Sequence, residues 1–176
     1  LLQAAKDLPD GQQDPWWTSM MFFNSLRELG TSMSLIQSDI PDYLRVLQNR
    51  YGIEPSQIRR PWDVMELTSR YRQDEIPAAI GKLERRVSDG DPIDICLASS
   101  IIEVGIDIGR LSLLTVVGQP KSTSQYIQIT GRVGRLWRTQ PGLVVTIYGA
   151  SKPRDRSHFE RFQSYHQRLY AEVEPV

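Results

Sequence analysis

The chain has little sulfur and little histidine: one cysteine, Cys96, and two histidines, His158 and His166, in 176 residues. A single thiol cannot close an internal disulfide, so a reducing, cytoplasmic setting is the expectation. With only His158 and His166 to join it, Cys96 offers no metal site. No run of about eighteen apolar residues occurs, so nothing spans a membrane, and no signal peptide is visible. Net charge is also missing, because 21 Lys/Arg balance 21 Asp/Glu. A zero balance argues neither for nor against nucleic acid. There is no G-x-x-x-x-G-K-[ST] phosphate loop. The acids of "DGDPID" and "RDRSHFE" form no strand-borne pair placed to hold magnesium. No Ser/His/Asp or Cys/His arrangement points to nucleophilic catalysis. If the chain handles a nucleoside triphosphate, another domain must supply the main cradle and the metal. The chain opens on Leu1 and reads as a fragment or an excised domain.

What is present is an ordinary soluble composition, 40% apolar and 24% charged, with length enough for one domain and a real core. The charge is unevenly placed. From Gly118 onward there are nine Lys/Arg and four Asp/Glu, and before it twelve and seventeen. The positive excess falls in the segment that holds "SQYIQITGRVGRLW", Ser124 to Trp137.

Apolar runs and turn signals give the order of elements. "PWWTSMMFF" (Pro15 to Phe23) reads as a buried strand, with Asn24 or Ser25 capping a helix that starts at "SLREL". "DIPDYLRVLQNRYG" predicts a helix ending near Gly52. "DVMELTS" is a second strand. In "DEIPAAIGKLERRVSDG", Ile76, Ala79, Ile80, Leu83 and Val87 stand at helical spacing. "PIDICLAS", "LSLLTVVG" and "PGLVVTIYG" are three more strands, with a helix over Gln125 to Thr130 between the last two. The tail "RDRSHFERFQSYHQRLYAEV" places Phe159, Phe162, Tyr165 and Leu169 as an amphipathic helix. Nearly all-apolar strands alternating with helices predict an α/β domain, a mostly parallel sheet covered on both faces. Ligands of such sheets sit at the carboxyl ends of the strands, so the residues after each apolar run are the first to inspect.

After the third strand come Ser99 and Ser100, suited to an anion, then Gly105, Ile106 and Asp107. A carboxylate there can accept hydrogen bonds from ribose or water, or hold a partner arginine. The plainer reading is that Ser99 caps a helix and Asp107 caps a turn. Before the last strand, Arg132 and Arg135 stand three apart, which on a helix puts them on one face. Two such guanidiniums repel unless an anion or carboxylate lies between them, and the planar fork suits phosphate oxygens. Gly131 and Gly134 remove side chains that would keep a bulky ligand or another domain away. A solvated basic face is the alternative, and it leaves the glycines unexplained.

These residues resemble the second RecA-like domain of superfamily 2 ATP-dependent helicases, from about Trp16 to Tyr148. "GRVGR" preceded by Gln128 is similar to the family's last motif, Q-x-x-G-R-x-G-R. "ASSIIEVGID" (Ala98 to Asp107) is similar to A-T-x-x-x-x-x-G-[IV]-D, with Ser99 in place of threonine. More narrowly, the stretch from Val116 through the tail resembles helicase-like proteins of bacterial DISARM-type phage-defence systems.

The resemblance implies a RecA-like fold and a division of labour. Residues 1–14 would be a lead-in or linker, 15–150 the helicase C-terminal domain, and 151–176 a basic loop and helical extension. Arg132 and Arg135 would be arginine fingers, reaching ATP whose Mg2+ is held by a first RecA-like domain absent here. Gln128, Gly105, Asp107 and Gly131 would face the same nucleotide. Ser99, Ser100 and Lys121 would meet nucleic acid, with DNA favoured over RNA. Other proteins of a defence system would be further partners. The fragment alone would hydrolyse no ATP. A different class of function is also open: a non-catalytic RecA-like module that binds nucleic acid or protein.

Overall fold

The computed structural model describes residues 1–99 and 107–171. Two short helices come first, α1 (Leu2–Lys6) and α2 (Asp14–Trp17). Strand β1 (Ser19–Phe23), the long helix α3 (Leu26–Tyr51) and strand β2 (Val64–Leu67) follow. Helix α4 (Ile76–Glu84) leads through a 3-10 turn at Val87–Asp89 to β3 (Ile95–Ala98). Strand β4 (Leu113–Val117), helix α5 (Thr123–Thr130) and strand β5 (Leu143–Ile147) complete the sheet. The tail holds α6 (Pro153–Glu160) and α7 (Phe162–Gln167).

The five strands form one sheet in the order β2-β3-β1-β4-β5, and every neighbouring pair is parallel. Side chains alternate between faces along a strand, and the core divides accordingly. Met20, Phe22, Cys96, Ala98, Leu114 and Val116 point to one face, where Ala79 and Leu83 of α4 and Ile129 of α5 cover them. Phe23, Ile95 and Leu97 point to the other, against Leu29 and Ile36 of α3. Double coverage explains why "LSLLTVVG" is apolar without alternation. The α/β expectation, a parallel sheet with helices on both faces, therefore holds.

Three local expectations are corrected. The first strand begins at Ser19, because Pro15 sits at the start of α2 and carries Trp16 and Trp17 into a helical turn. The two helical stretches after it are one helix of 26 residues, which runs through Pro41. Proline there forfeits one backbone bond, the one to the Gln37 carbonyl a turn earlier. The helix is bounded as its ends imply: Ser25 Oγ accepts from the Glu28 amide, and Gly52 closes it at φ 63°. The tail is two short helices, not one, and Phe159 and Phe162 are exposed at 67% and 44%. Its contact with the body comes instead from Asp155 and Tyr165, both buried.

The first residues are tied down. Gln3 Oε1 accepts from the Arg59 amide at 2.7 Å, and Lys6 Nζ donates to the Ser56 and Ile58 carbonyls. Among the described residues no helix is long and apolar enough to cross a membrane.

Candidate functional site

Helix α5 starts at the carboxyl end of β4, where Ser122 Oγ accepts from the Gln125 amide. It runs back to the amino end of the sheet and stops at Thr130, with Gly131 closing it in an ordinary right-handed conformation. Arg132 and Arg135 therefore do not lie on a helix, and the reading of one helical face is corrected. They lie in the loop that precedes β5. Its backbone is fastened to the start of β4: the Gly134 amide donates to the Leu111 carbonyl at 3.0 Å, and Leu143 to that of Ser112 at 2.7 Å. Gln140 Nε2 adds bonds to the Arg110 carbonyl at 2.6 Å and Ser112 Oγ at 3.1 Å.

The glycines have separate jobs. Gly134 has φ 67°, and a Cβ there would stand 2.4 Å from the Gly142 amide nitrogen. Its missing side chain makes room for the chain's own returning backbone, not for a ligand. Gly131 is different: its φ is −69°, and an added Cβ would meet only the preceding helix, 3.1 Å from the Ile127 carbonyl. Gly134→Ala combines a left-handed strain with a backbone clash. A loss of about 2 kcal/mol or more, roughly 4–8 °C in Tm, is expected in thermal unfolding of the domain. Gly131→Ala should cost clearly less; equal losses would contradict this division.

Asp107 precedes β4 and so lies at the same amino end. Its Oδ2 accepts from Arg135 Nη1 at 2.6 Å, with the two side chains 54% and 38% exposed. Residues 28 positions apart, from two different motifs, are thus joined at one surface. An exposed pair of this kind contributes at most about 1 kcal/mol to stability, so its effect is to orient the guanidinium while leaving its other nitrogens accessible. Arg132 is half-buried beside it in sequence, and Gln128 is exposed on the last turn of α5. A cleft of about 730 Å³ opens at this end, lined in part by Ile108, Gly109, Leu136 and Gln140.

Ser99 and Lys121 lie at the opposite, carboxyl end of the sheet. The expected site residues therefore divide between two ends, and the rule that ligands gather after the strands covers only part of them. Ser99 is 5% exposed, and its hydroxyl has no hydrogen-bond partner among the described residues. Lys121 is exposed and its amide donates to Gln125 Oε1. Ser100 and Gly105 fall outside the described residues.

Sequence reasoning missed how the carboxyl end is closed. Asn24 Nδ2 donates to the Val117 and Gly118 carbonyls, bridging β1 and β4. Asp155 of α6 is 1% exposed, and its carboxylate accepts from the Gln119 and Gly149 amides at 2.9 and 2.8 Å. Buried Gln119 donates to Tyr165 Oη and accepts from Tyr148 Oη, each at 3.3 Å. Burial pushes the Tyr148 phenol up to about 12, so it stays a donor at neutral pH. The one cysteine, Cys96, is fully buried in β3 and pushed up to about 12 by desolvation, which leaves its thiol protonated and inert.

Comparison with known proteins supplies a family. The model of the helicase conserved C-terminal domain matches residues 24–136. The chain is 41% identical to the DISARM protein DrmA of Bacillus paralicheniformis over 99% of its own length, and it spans 16% of that protein. It is 35% identical to the ATP-dependent helicase Lhr-Core of Methanocaldococcus jannaschii over 36% of its length, 8% of that protein. Among solved structures, the helicase Lhr of Mycobacterium smegmatis bound to ssDNA and AMP-PNP superposes with a TM-score of 0.57 at 22% identity. That match covers 91% of this chain and 18% of the other.

Proposed function

The chain belongs to the helicase conserved C-terminal domain family, and on that premise we propose that it is the half of an ATP-driven nucleic-acid motor that completes the nucleotide site from outside. The observation that carries this reading is the Asp107–Arg135 pair on the exposed amino end of the sheet. It holds one guanidinium in place at a surface where the chain itself offers no phosphate loop. ATP, with Mg2+, would be held mainly by a first RecA-like domain facing this end. Phosphoryl transfer spreads negative charge over the oxygens of the transferred group, and an arginine aimed at them stabilises that charge.

The residues fit such a role. Arg135 keeps a carboxylate on one side and solvent on the other, which orients the fork without neutralising its reach. Arg132 leaves the same loop, and Gln128 projects from the turn before it. Asp107 positions Arg135 and does not itself touch phosphate. Lys121 and Ser99, at the other end, are assigned to the nucleic-acid side, with DNA preferred to RNA. Similarity along nearly the whole chain to a DISARM protein supports a place in such a defence system, with its other proteins as partners.

The test separates the fragment from the whole. The intact protein should hydrolyse ATP, and single-stranded DNA should raise the rate. The 176-residue domain alone should show no turnover above background. Hydrolysis by the isolated domain, or none by the intact protein, would remove the motor reading and favour a non-catalytic binding module.

A further inference from the structure

The tail carries a second cationic site that the helicase motifs do not account for. A pocket of about 270 Å³ lies on α6 and α7, lined by Ser157, His158, Arg161, Ser164, Tyr165 and Arg168. That is below the roughly 300–1,000 Å³ of sites that enclose a drug-sized organic ligand. Ser157 stands on α6 and Ser164 on α7, Arg161 joins the two helices and Arg168 follows the second, and all four face the same pocket. Neighbouring cations are already engaged: Lys152 pairs with Glu28, and Arg156 with Glu160 at 2.9 Å. Arg161 and Arg168 are exposed, and neither guanidinium forms an ion pair among the described residues.

The geometry points to a backbone-phosphate subsite for single-stranded nucleic acid, built by Arg161 and Arg168 with the Ser157 hydroxyl, while Ser164 Oγ donates to the Arg161 carbonyl at 3.0 Å and holds the turn between the helices. Two arginines facing one small pocket repel each other until an anion lies between them, and the planar fork suits phosphate oxygens. Charge agrees. Residues 151–171 hold five Lys/Arg and two Asp/Glu, and Asp155 is spent on buried amides. Phe159, Phe162 and Tyr170 are exposed at 67%, 44% and 82% on the same tail. Exposed rings on the same element as cationic side chains are what stacked bases use. The placement is fixed too: Asp155 and Tyr165 dock this tail on Gln119 at the carboxyl end of β4, next to Lys121. The subsite rests on the motor reading, since it supplies that motor's grip on its track.

The experiment measures binding of a fluorescent oligo-dT to the intact protein across a salt series, for wild type, Arg161→Ala/Arg168→Ala and Arg161→Lys/Arg168→Lys. Each phosphate contact on a single strand contributes about 0.7 to the slope of log K against log salt. The double alanine variant should lose about 1.4 of that slope and bind at least tenfold more weakly near 0.15 M salt. The lysine variant should keep most of the slope, which shows that a folding defect is not the cause. An unchanged slope with affinity within twofold of wild type would overturn the subsite and leave the motor reading standing. Failure of the wild type to bind any oligonucleotide would overturn both.

Discussion

In the intact protein, Arg135→Ala is expected to lower ATP turnover by about 10³-fold or more, the range an arginine finger supplies in phosphoryl transfer. A thousandfold loss corresponds to about 4 kcal/mol of transition-state stabilisation. The effect on folding should be far smaller. Arg135 is 38% exposed and its ion pair with Asp107 lies at the surface, where such pairs contribute at most about 1 kcal/mol. The two readouts therefore separate: turnover collapses while the unfolding transition moves little. Arg132→Ala should act in the same direction. Arg135→Lys keeps the charge but not the planar fork, and should recover little of the rate. Asp107→Asn keeps the shape and removes the charge that orients Arg135, so a loss of about tenfold is expected, between wild type and Arg135→Ala. Near-normal hydrolysis in both arginine variants would end the finger assignment.

How much of this was legible in the sequence depends on the kind of signal. The three inner strands, β3, β1 and β4, announce themselves as apolar runs, because a strand covered on both faces has little polar side to show, whereas the edge strands β2 and β5 are only partly covered. The two motif ends also carried their chemistry openly: a carboxylate able to hold an arginine, and an arginine in need of one, are Asp107 and Arg135. What stayed hidden was placement. Spacing of three suggested that Arg132 and Arg135 share a helical face, but α5 ends at Thr130. Nothing local reveals that Gly134 faces Gly142, since that contact exists only once β5 has paired with β4. The rule that ligands follow the strands directed attention to Ser99 and Lys121, whereas the loop holding the arginines precedes a strand. "DGDPID" and "RDRSHFE" hold acids that form no strand-borne pair placed for magnesium. Asp94 and Asp155 in them are structural, the first bound to Arg59 and the second to two backbone amides.

Asp94→Ala is expected to destabilise the domain by about 3–5 kcal/mol, a fall of roughly 6–20 °C in Tm. Arg59 is 2% exposed, and its Nη2 donates to Asp94 Oδ1 at 2.5 Å and to the Trp17 carbonyl at 3.1 Å. Its guanidinium stacks on the Trp17 ring, 3.5 Å from the centroid. Burial lowers the Arg59 pKa from its ordinary value, and the Asp94 carboxylate works against that shift. Removing the carboxylate leaves a desolvated cation with the ring and one carbonyl. It also frees the Asp63 amide, which donates to Asp94 Oδ2 at 3.1 Å. Replacing both charges should cost less than breaking the pair. Asp94→Ala combined with Arg59→Met is therefore expected to recover part of the stability lost in Asp94→Ala alone, a coupling that a double-mutant cycle reads directly. A loss under about 1 kcal/mol in the single variant, or additive losses in the double, would show that this pair is not held in a low-dielectric interior. The consequence reaches the site. Arg59, Trp17 and Asp94 pin the first residues beneath the sheet, and Arg110 fastens the same end through Thr18 Oγ1 at 2.6 Å and the Leu83 carbonyl at 2.8 Å. Asp107 and Arg135 stand on that end, so the two buried arginines brace the edge from which the exposed Arg135 reaches out.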